Sequence, residues 1–109
     1  MYRLEIVAEA KKEITEELGY SAKNWGKRHS RGYAKSLREK IRVLKKSPFI
    51  CPLRNDIVEG IRLLKHKGNL IIYTLVEDEN LVLILALISI HKEINSRHLK
   101  QRIAAHNGR

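Results

Sequence analysis

The chain holds one cysteine, Cys51, so an intramolecular disulfide is impossible, and a lone thiol suits a reducing compartment. Cys51 precedes Pro52 in a turn-like stretch and reads as a buried structural thiol rather than a nucleophile. Metal-ligand spacing is missing too. Five histidines accompany that cysteine, but no Cys pair and no HExxH pattern occurs. There is no phosphate-binding glycine loop, no dinucleotide glycine fingerprint and no GxSxG elbow. No metal and no cofactor is therefore expected. Long apolar runs are scarce: the longest, Leu81 to Ile90, covers ten positions with Ser89 among them, against about 20 for a membrane helix. The stretch Met1 to Ala10 carries Arg3, Glu5 and Glu9 and lacks the apolar centre of a signal peptide. A cytoplasmic protein with no membrane partner is expected. Repeats, low-complexity segments and linkers are also missing, which points to a single domain over residues 1–109.

What is abundant is positive charge. Lys and Arg number 22 against 12 Asp and Glu, for a formal net charge of +10 at pH 7. A field of that sign favours polyanions or acidic protein segments. The charge is clustered rather than spread as a solubility coat. Lys23 to Lys46 contains ten cations (among them Arg28, Arg31, Lys35 and Arg38) and a single acid, Glu39. From His91 onward five cations face only Glu93, whereas the first 22 residues carry five acids against three bases. Within the basic stretch only Trp25 and Tyr33 are aromatic, and both fit an apolar stripe, so they read as core rather than as base-stacking platforms.

The apolar spacing outlines the elements. Tyr2 to Val7 alternates in part and is rich in strand formers, which predicts a short first strand. Ala10, Ile14 and Leu18 fall four apart, predicting an amphipathic helix from about Glu9 to Leu18 with Gly19 as its stop. Ser21 or Asn24 then caps a second helix. Its apolar stripe is Trp25, Tyr33, Leu37, Ile41 and Leu44, and Pro48 ends it after about Lys46. The two helices should form a hairpin with their apolar faces turned the same way. Pro48 to Asp56 reads as a loop. Three strands follow, Ile57 to His66, Leu70 to Val76 and Leu81 to Ile90, joined by short polar turns into an antiparallel meander. The last is apolar on both faces and should be central and covered on both sides. A final helix can begin at Ser96, with Leu99 and Ile103 four apart. Residues 100–109 read as a partly frayed tail. The expected fold class is α+β: a helix hairpin packed on an antiparallel sheet, in the order β-α-α-β-β-β with a C-terminal helix.

Two kinds of chemistry are open to such a chain. One is docking: the basic second helix can meet an acidic protein segment or nucleic acid. The other is metal-independent RNA cleavage, which needs a base for the 2′-hydroxyl, cations for the phosphate and an acid for the leaving oxygen. His91, Lys92, Arg97 and His98 follow the last strand closely and can supply such groups, and Arg62, Lys65 and His66 can join them. His91 also reads as an ordinary structural histidine at a strand end, and Glu59 and Asp56 offer Arg62 structural partners.

Several segments resemble a known family. Asn24-Trp25-Gly26-Lys27 followed by Tyr33 is similar to the "WG…Y" helix of ParE-type toxins, and Leu44-Lys45-Lys46-Ser47-Pro48 to the end of that helix. Gly60-Ile61-Arg62 and then Leu70-Ile71-Ile72-Tyr73 resemble "GIR…hIIfY". Ile88 to Asn95, with Arg97-His98-Leu99, resembles the closing "ILHxxMDxxxHL", with Glu93-Ile94-Asn95 departing from its Met-Asp. These segments run in order from about residue 3 to 99, and the chain is identified as a member of the RelE/ParE superfamily of type II toxin–antitoxin toxins. The resemblance implies a cognate antitoxin, bound tightly through a segment that folds on binding, and repression of the operon through operator DNA read by the antitoxin. RelE-type members cut mRNA on the ribosome, using an arginine after the first hairpin turn and a basic-plus-tyrosine set near the C-terminus. Here Leu70, Glu93 and Leu99 stand at those places. ParE-type members lack that set and inhibit DNA gyrase, so the resemblance leans to that type. Arg28, Arg31, Lys35, Arg38, Arg62 and His91 are then the candidates for target or antitoxin binding. The alternatives are a ribosome-dependent mRNA endonuclease and an inactive antitoxin-binding homologue.

Overall fold

The computed structural model describes residues 1–108. The order of elements is β1 (Arg3–Ile6), α1 (Ala8–Trp25), α2 (Lys27–Lys46), β2 (Ile61–His66), β3 (Asn69–Val76), β4 (Leu81–Ser89) and α3 (Ser96–Asn107). The α+β class and the β-α-α-β-β-β order are as expected. The sheet runs β1-β4-β3-β2. β2, β3 and β4 form the expected antiparallel meander, but β1 lies parallel to β4, so the sheet is mixed. The cause is the helix hairpin. α2 returns the chain to the end from which β1 began, where the Tyr2 amide donates to the Lys45 carbonyl at 3.0 Å. β2 therefore starts in the same sense as β1, and two further reversals leave β4 parallel to β1.

α1 does not stop at Gly19. It runs through to Trp25, and the break falls at Gly26, whose φ is +92°. A glycine inside a helix costs only about 1 kcal/mol, which tertiary packing outweighs, whereas the reversal between two helices needs a positive φ that glycine alone adopts freely. Trp25 therefore belongs to the last turn of α1 and is 67% exposed. It is out of phase with Tyr33, Leu37, Ile41 and Leu44, which are buried as expected. Ser30 Oγ ties the hairpin together by donating to the Leu18 carbonyl at 2.8 Å.

β4 is the centre of the molecule. Its residues Leu81 to Leu87 are all buried, and two apolar layers meet on it. Val82, Ile84 and Leu87 join Tyr33, Leu37, Ile41, Leu44, Ile71 and Tyr73 under the helix hairpin. Leu81, Leu83, Leu85 and Ala86 join Val58, Ile61, Ile72 and Leu99 on the opposite face. The change of parity between Leu85 and Ala86 is a β-bulge: Ile72 pairs with Ala86 and Tyr73 with Ile84, leaving Leu85 as the extra residue. Each large side chain buried here stabilises the fold by about 1.5–3 kcal/mol.

Two further expectations shift. Residues Ile57–Gly60 are a turn rather than the start of β2, with Val58 buried, because Gly60 sits at φ +84° and its carbonyl accepts from Thr74 Oγ1. The C-terminal segment is not frayed through its described part. α3 extends to Asn107, capped by Asn95, whose side chain accepts from the His98 amide at 3.1 Å. His106 is buried with Nε2 3.4 Å from Glu79 Oε1. Arg109 lies outside the described residues. Cys51 is buried, as its setting suggested. No helix among the described residues is long and apolar enough to cross a membrane.

Candidate functional site

α2 presents two chemically opposite faces. Its buried face is Ser30, Tyr33, Leu37, Ile41 and Leu44. Its outer face carries Arg28, Arg31, Lys35 and Arg38, all exposed. Among the described residues none of these four cations takes part in an ion pair.

At the far end of the sheet the tips of α1 and α2, the β2–β3 turn and the end of β4 enclose a groove of about 740 Å³. Glu13, Glu16 and Glu17 line it from α1, with Tyr20, Trp25, His29 and Tyr33 beside them and Lys67, Asn69 and Lys92 on the sheet side. Acids and cations thus face one another across it. Tyr20 and Trp25 are 61% and 67% exposed, which makes this an open groove with an aromatic rim. Beneath it Asn69 Nδ2 donates to the Tyr33 hydroxyl at 2.5 Å, and burial raises the Tyr33 phenol above its ordinary value.

His91, Lys92, Arg97 and His98 are all exposed, in the turn after β4 and the first turn of α3. Their side chains make no hydrogen bond or ion pair with another described residue. Only the His91 amide is engaged, donating to Ser89 Oγ at 3.2 Å. Arg62 does not join them. It pairs across the sheet with Tyr73 and so stands level with Ile84, seven residues before His91, or roughly 20 Å along the strand direction. Its guanidinium donates to the Cys51 carbonyl and lies 5.2 Å from the centre of the Phe49 ring. The expected partners of Arg62 are otherwise occupied or absent: Asp56 pairs with Arg54 at 3.0 Å, and no bond joins Glu59 to it. Arg62 therefore braces the loop after α2, whose Phe49, Ile50 and Leu53 are exposed apolar side chains. Lys65 is exposed and His66 is buried. His66 Nε2 lies 3.0 Å from Ser36 Oγ, and that hydroxyl also lies 3.0 Å from the Tyr33 carbonyl. A hydroxyl that donates to a helix carbonyl can only accept from the imidazole, so the pair joins α2 to β2 rather than activating a nucleophile.

Leu99, which stands where RelE-type toxins are expected to carry a tyrosine, is 2% exposed and packs in the second apolar layer. Leu70 is half-buried at the start of β3, opposite Ile88. Glu93 is exposed.

The family model for the ParE toxin of type II toxin–antitoxin systems matches residues 4–93. The chain belongs to the ParE toxin family. Its partner class is therefore an antitoxin. Among curated proteins none matches the chain. The match covers the helix hairpin and the sheet except for Arg3 at the start of β1, and ends just before α3. Sequence reasoning did not anticipate the groove rim of Tyr20, Trp25 and His29. Trp25 beside Gly26 was the available signal, because a glycine that breaks the helix pair puts the preceding residue in the last turn of α1.

Proposed function

We propose that this ParE-family toxin inhibits DNA gyrase by binding, without chemistry of its own, and that a cognate antitoxin neutralises it and carries the complex to operator DNA. The observation that carries the reading is Leu99. A fully packed leucine offers neither a proton nor a hydrogen bond to RNA at the place where the RNA-cleaving relatives are expected to use a tyrosine. Leu70 and Glu93 support it, one apolar and one of the wrong charge for a scissile phosphate. The candidate docking residues are the exposed Arg28, Arg31, Lys35 and Arg38 on α2 and His91 after β4, whereas Arg62 is engaged by the Cys51 carbonyl and the Phe49 ring. This distribution suits a partner that wraps the molecule better than a single compact contact.

The test is a supercoiling assay with purified gyrase, relaxed plasmid and the full chain. Supercoiling should stop as toxin approaches the gyrase concentration, and DNA synthesis should fall before protein synthesis when the chain is induced without antitoxin. Normal supercoiling at large molar excess overturns the proposal. An early fall in protein synthesis with intact DNA synthesis favours an mRNA endonuclease on the ribosome, with His91, Lys92, Arg97 and His98 as its groups. Harmless induction favours an inactive homologue.

A further inference from the structure

α2 has a regularity beyond its excess of charge. At 100° per residue, Lys27, Arg28, Arg31, Lys35, Arg38, Arg42, Lys45 and Lys46 all fall within an arc of roughly 100°. Every α2 position in that arc is Lys or Arg. Seven of the eight are exposed and Lys45 is half-buried. Among the described residues none is in an ion pair. The row is about 28 Å long, with a cation roughly every 4 Å along the helix axis.

This arrangement opposes the stability of the helix that carries it. Like charges three and four residues apart repel along its length. The first turn holds Lys27 and Arg28 and no acid, the reverse of what the helix dipole favours. Lys45 and Lys46 in the last turn suit the dipole, but the repulsion along the rest of the row is relieved only by solvent ions or by a bound polyanion.

We infer that the outer face of α2 is a docking surface for the phosphate backbone of duplex DNA, contacted by the toxin itself. The row, four Lys and four Arg, contains no apolar or aromatic side chain to act as the buried anchor that the centre of a protein interface needs, and Lys, though not Arg, is depleted there. That favours a polyphosphate over an acidic protein segment. Stacking platforms for single-stranded bases are missing from the row as well. The straight line of cations matches a duplex, which presents one phosphate per roughly 3.4 Å of axis on each strand. The wide major groove of B-form DNA admits a helix face between its phosphate walls, whereas the deep, narrow groove of A-form RNA does not. Recognition is by backbone alone, hence independent of base sequence.

The inference goes beyond the gyrase reading and stands or falls separately from it: supercoiling inhibition needs no free-DNA affinity, and DNA affinity needs no gyrase. The test is fluorescence anisotropy of the full chain with a labelled duplex of roughly 20 base pairs and arbitrary sequence, titrated between about 50 and 200 mM salt. Binding should weaken with a log–log salt slope of about −4 to −7, corresponding to five to eight phosphates neutralised. The quadruple variant Arg31→Gln, Lys35→Gln, Arg38→Gln, Arg42→Gln should make the slope shallower by about 3 to 4. A control of equal charge loss, Lys11→Gln, Lys12→Gln, Lys65→Gln, Lys100→Gln, should change it by less than about 1. Matched circular dichroism and melting curves show that both variants fold. No binding at the lowest salt overturns the inference. So does an equal loss in the two variants, which reports net charge alone. Tighter binding to duplex RNA, to single strands or to poly-glutamate assigns the row to another partner and also overturns it.

Discussion

Glu13 on α1 and Arg102 on α3, 89 residues apart, form a two-pronged ion pair at 3.0 Å that closes the open edge of β4. β1 ends at Ile6, beside Ile84, and its ladder finishes with the Val7 amide on the Ile84 carbonyl. Past that point the Leu85 carbonyl accepts from Arg102 Nη1 at 2.8 Å and the Leu87 amide donates to Glu13 Oε1 at 3.1 Å. The two side chains thus stand in for a missing strand, and they also fasten α3 to the sheet. An unsatisfied edge on a central strand would be both unstable and adhesive.

Removing Arg102 leaves a partly buried carboxylate and a backbone carbonyl without their partner. Arg102→Ala should cost about 2–3 kcal/mol, below the range for a fully buried pair because Glu13 retains some solvent. Glu13→Ala should speed hydrogen exchange at the Leu87 amide selectively. Urea titration and amide-resolved exchange check the two effects. An unchanged Leu87 amide would show that the edge is not held by Glu13.

Tyr73 is fully buried, and its hydroxyl donates to the Pro48 carbonyl at 3.0 Å. Burial raises this phenol well above its ordinary value, so the proton stays in place throughout the physiological range. Tyr73→Phe strands that carbonyl and should cost about 1–3 kcal/mol. The midpoint of urea unfolding should fall with the slope unchanged.

His66 makes stability depend on pH. Burial lowers its ionisation below the ordinary value near 6.5, and Lys67 and Lys40 add to that. Tyr33, Ser36 and Asn69 lie beside it and offer it no negative charge. The unfolded chain therefore takes up a proton that the folded one resists. The contribution of His66 is complete above about pH 6.5 and is lost as pH falls through the lowered value. Thermal melts should show a decline from about pH 6.5 downward that His66→Gln flattens. An equally steep decline in that variant would place the titration elsewhere.

Leu99→Tyr installs the side chain that RelE-type relatives are expected to use, but inside a packed layer. The substitution should destabilise by about 1–3 kcal/mol through overpacking and confer no RNA cleavage. Melting curves and a ribosome-dependent cleavage assay check both halves. Cleavage by the variant would show that the leucine alone separates the two activities.

Much of the fold was legible because it rests on local periodicity. Tyr33, Leu37, Ile41 and Leu44 mark one helix face by their spacing, and the unbroken apolar run of β4 announces a strand covered twice. The opposite face of α2 was legible on the same grounds, since a cation row follows from the spacing of Lys and Arg. The hairpin break was harder. Gly19 and Gly26 look equally able to end a helix, and only the positive φ at Gly26 distinguishes them. Without that distinction the spacing assigns Trp25 to the core, whereas it is exposed in the last turn of α1. The separation of Arg62 from His91 was out of reach, because proximity depends on strand register rather than on motif order.

Composition and periodicity were sufficient for the α+β class, the antiparallel meander, the basic face and the resemblance to a toxin family. Each depends on neighbours within a few turns or one hairpin. The parallel placement of β1, the bulge at Leu85, the Glu13–Arg102 clasp and the burial of Leu99 belong to the folded molecule alone. They join residues up to 89 positions apart, and such pairings are set by which surfaces remain unsatisfied after local elements form. An open strand edge and an uncovered apolar layer must find partners wherever the packed chain can bring them.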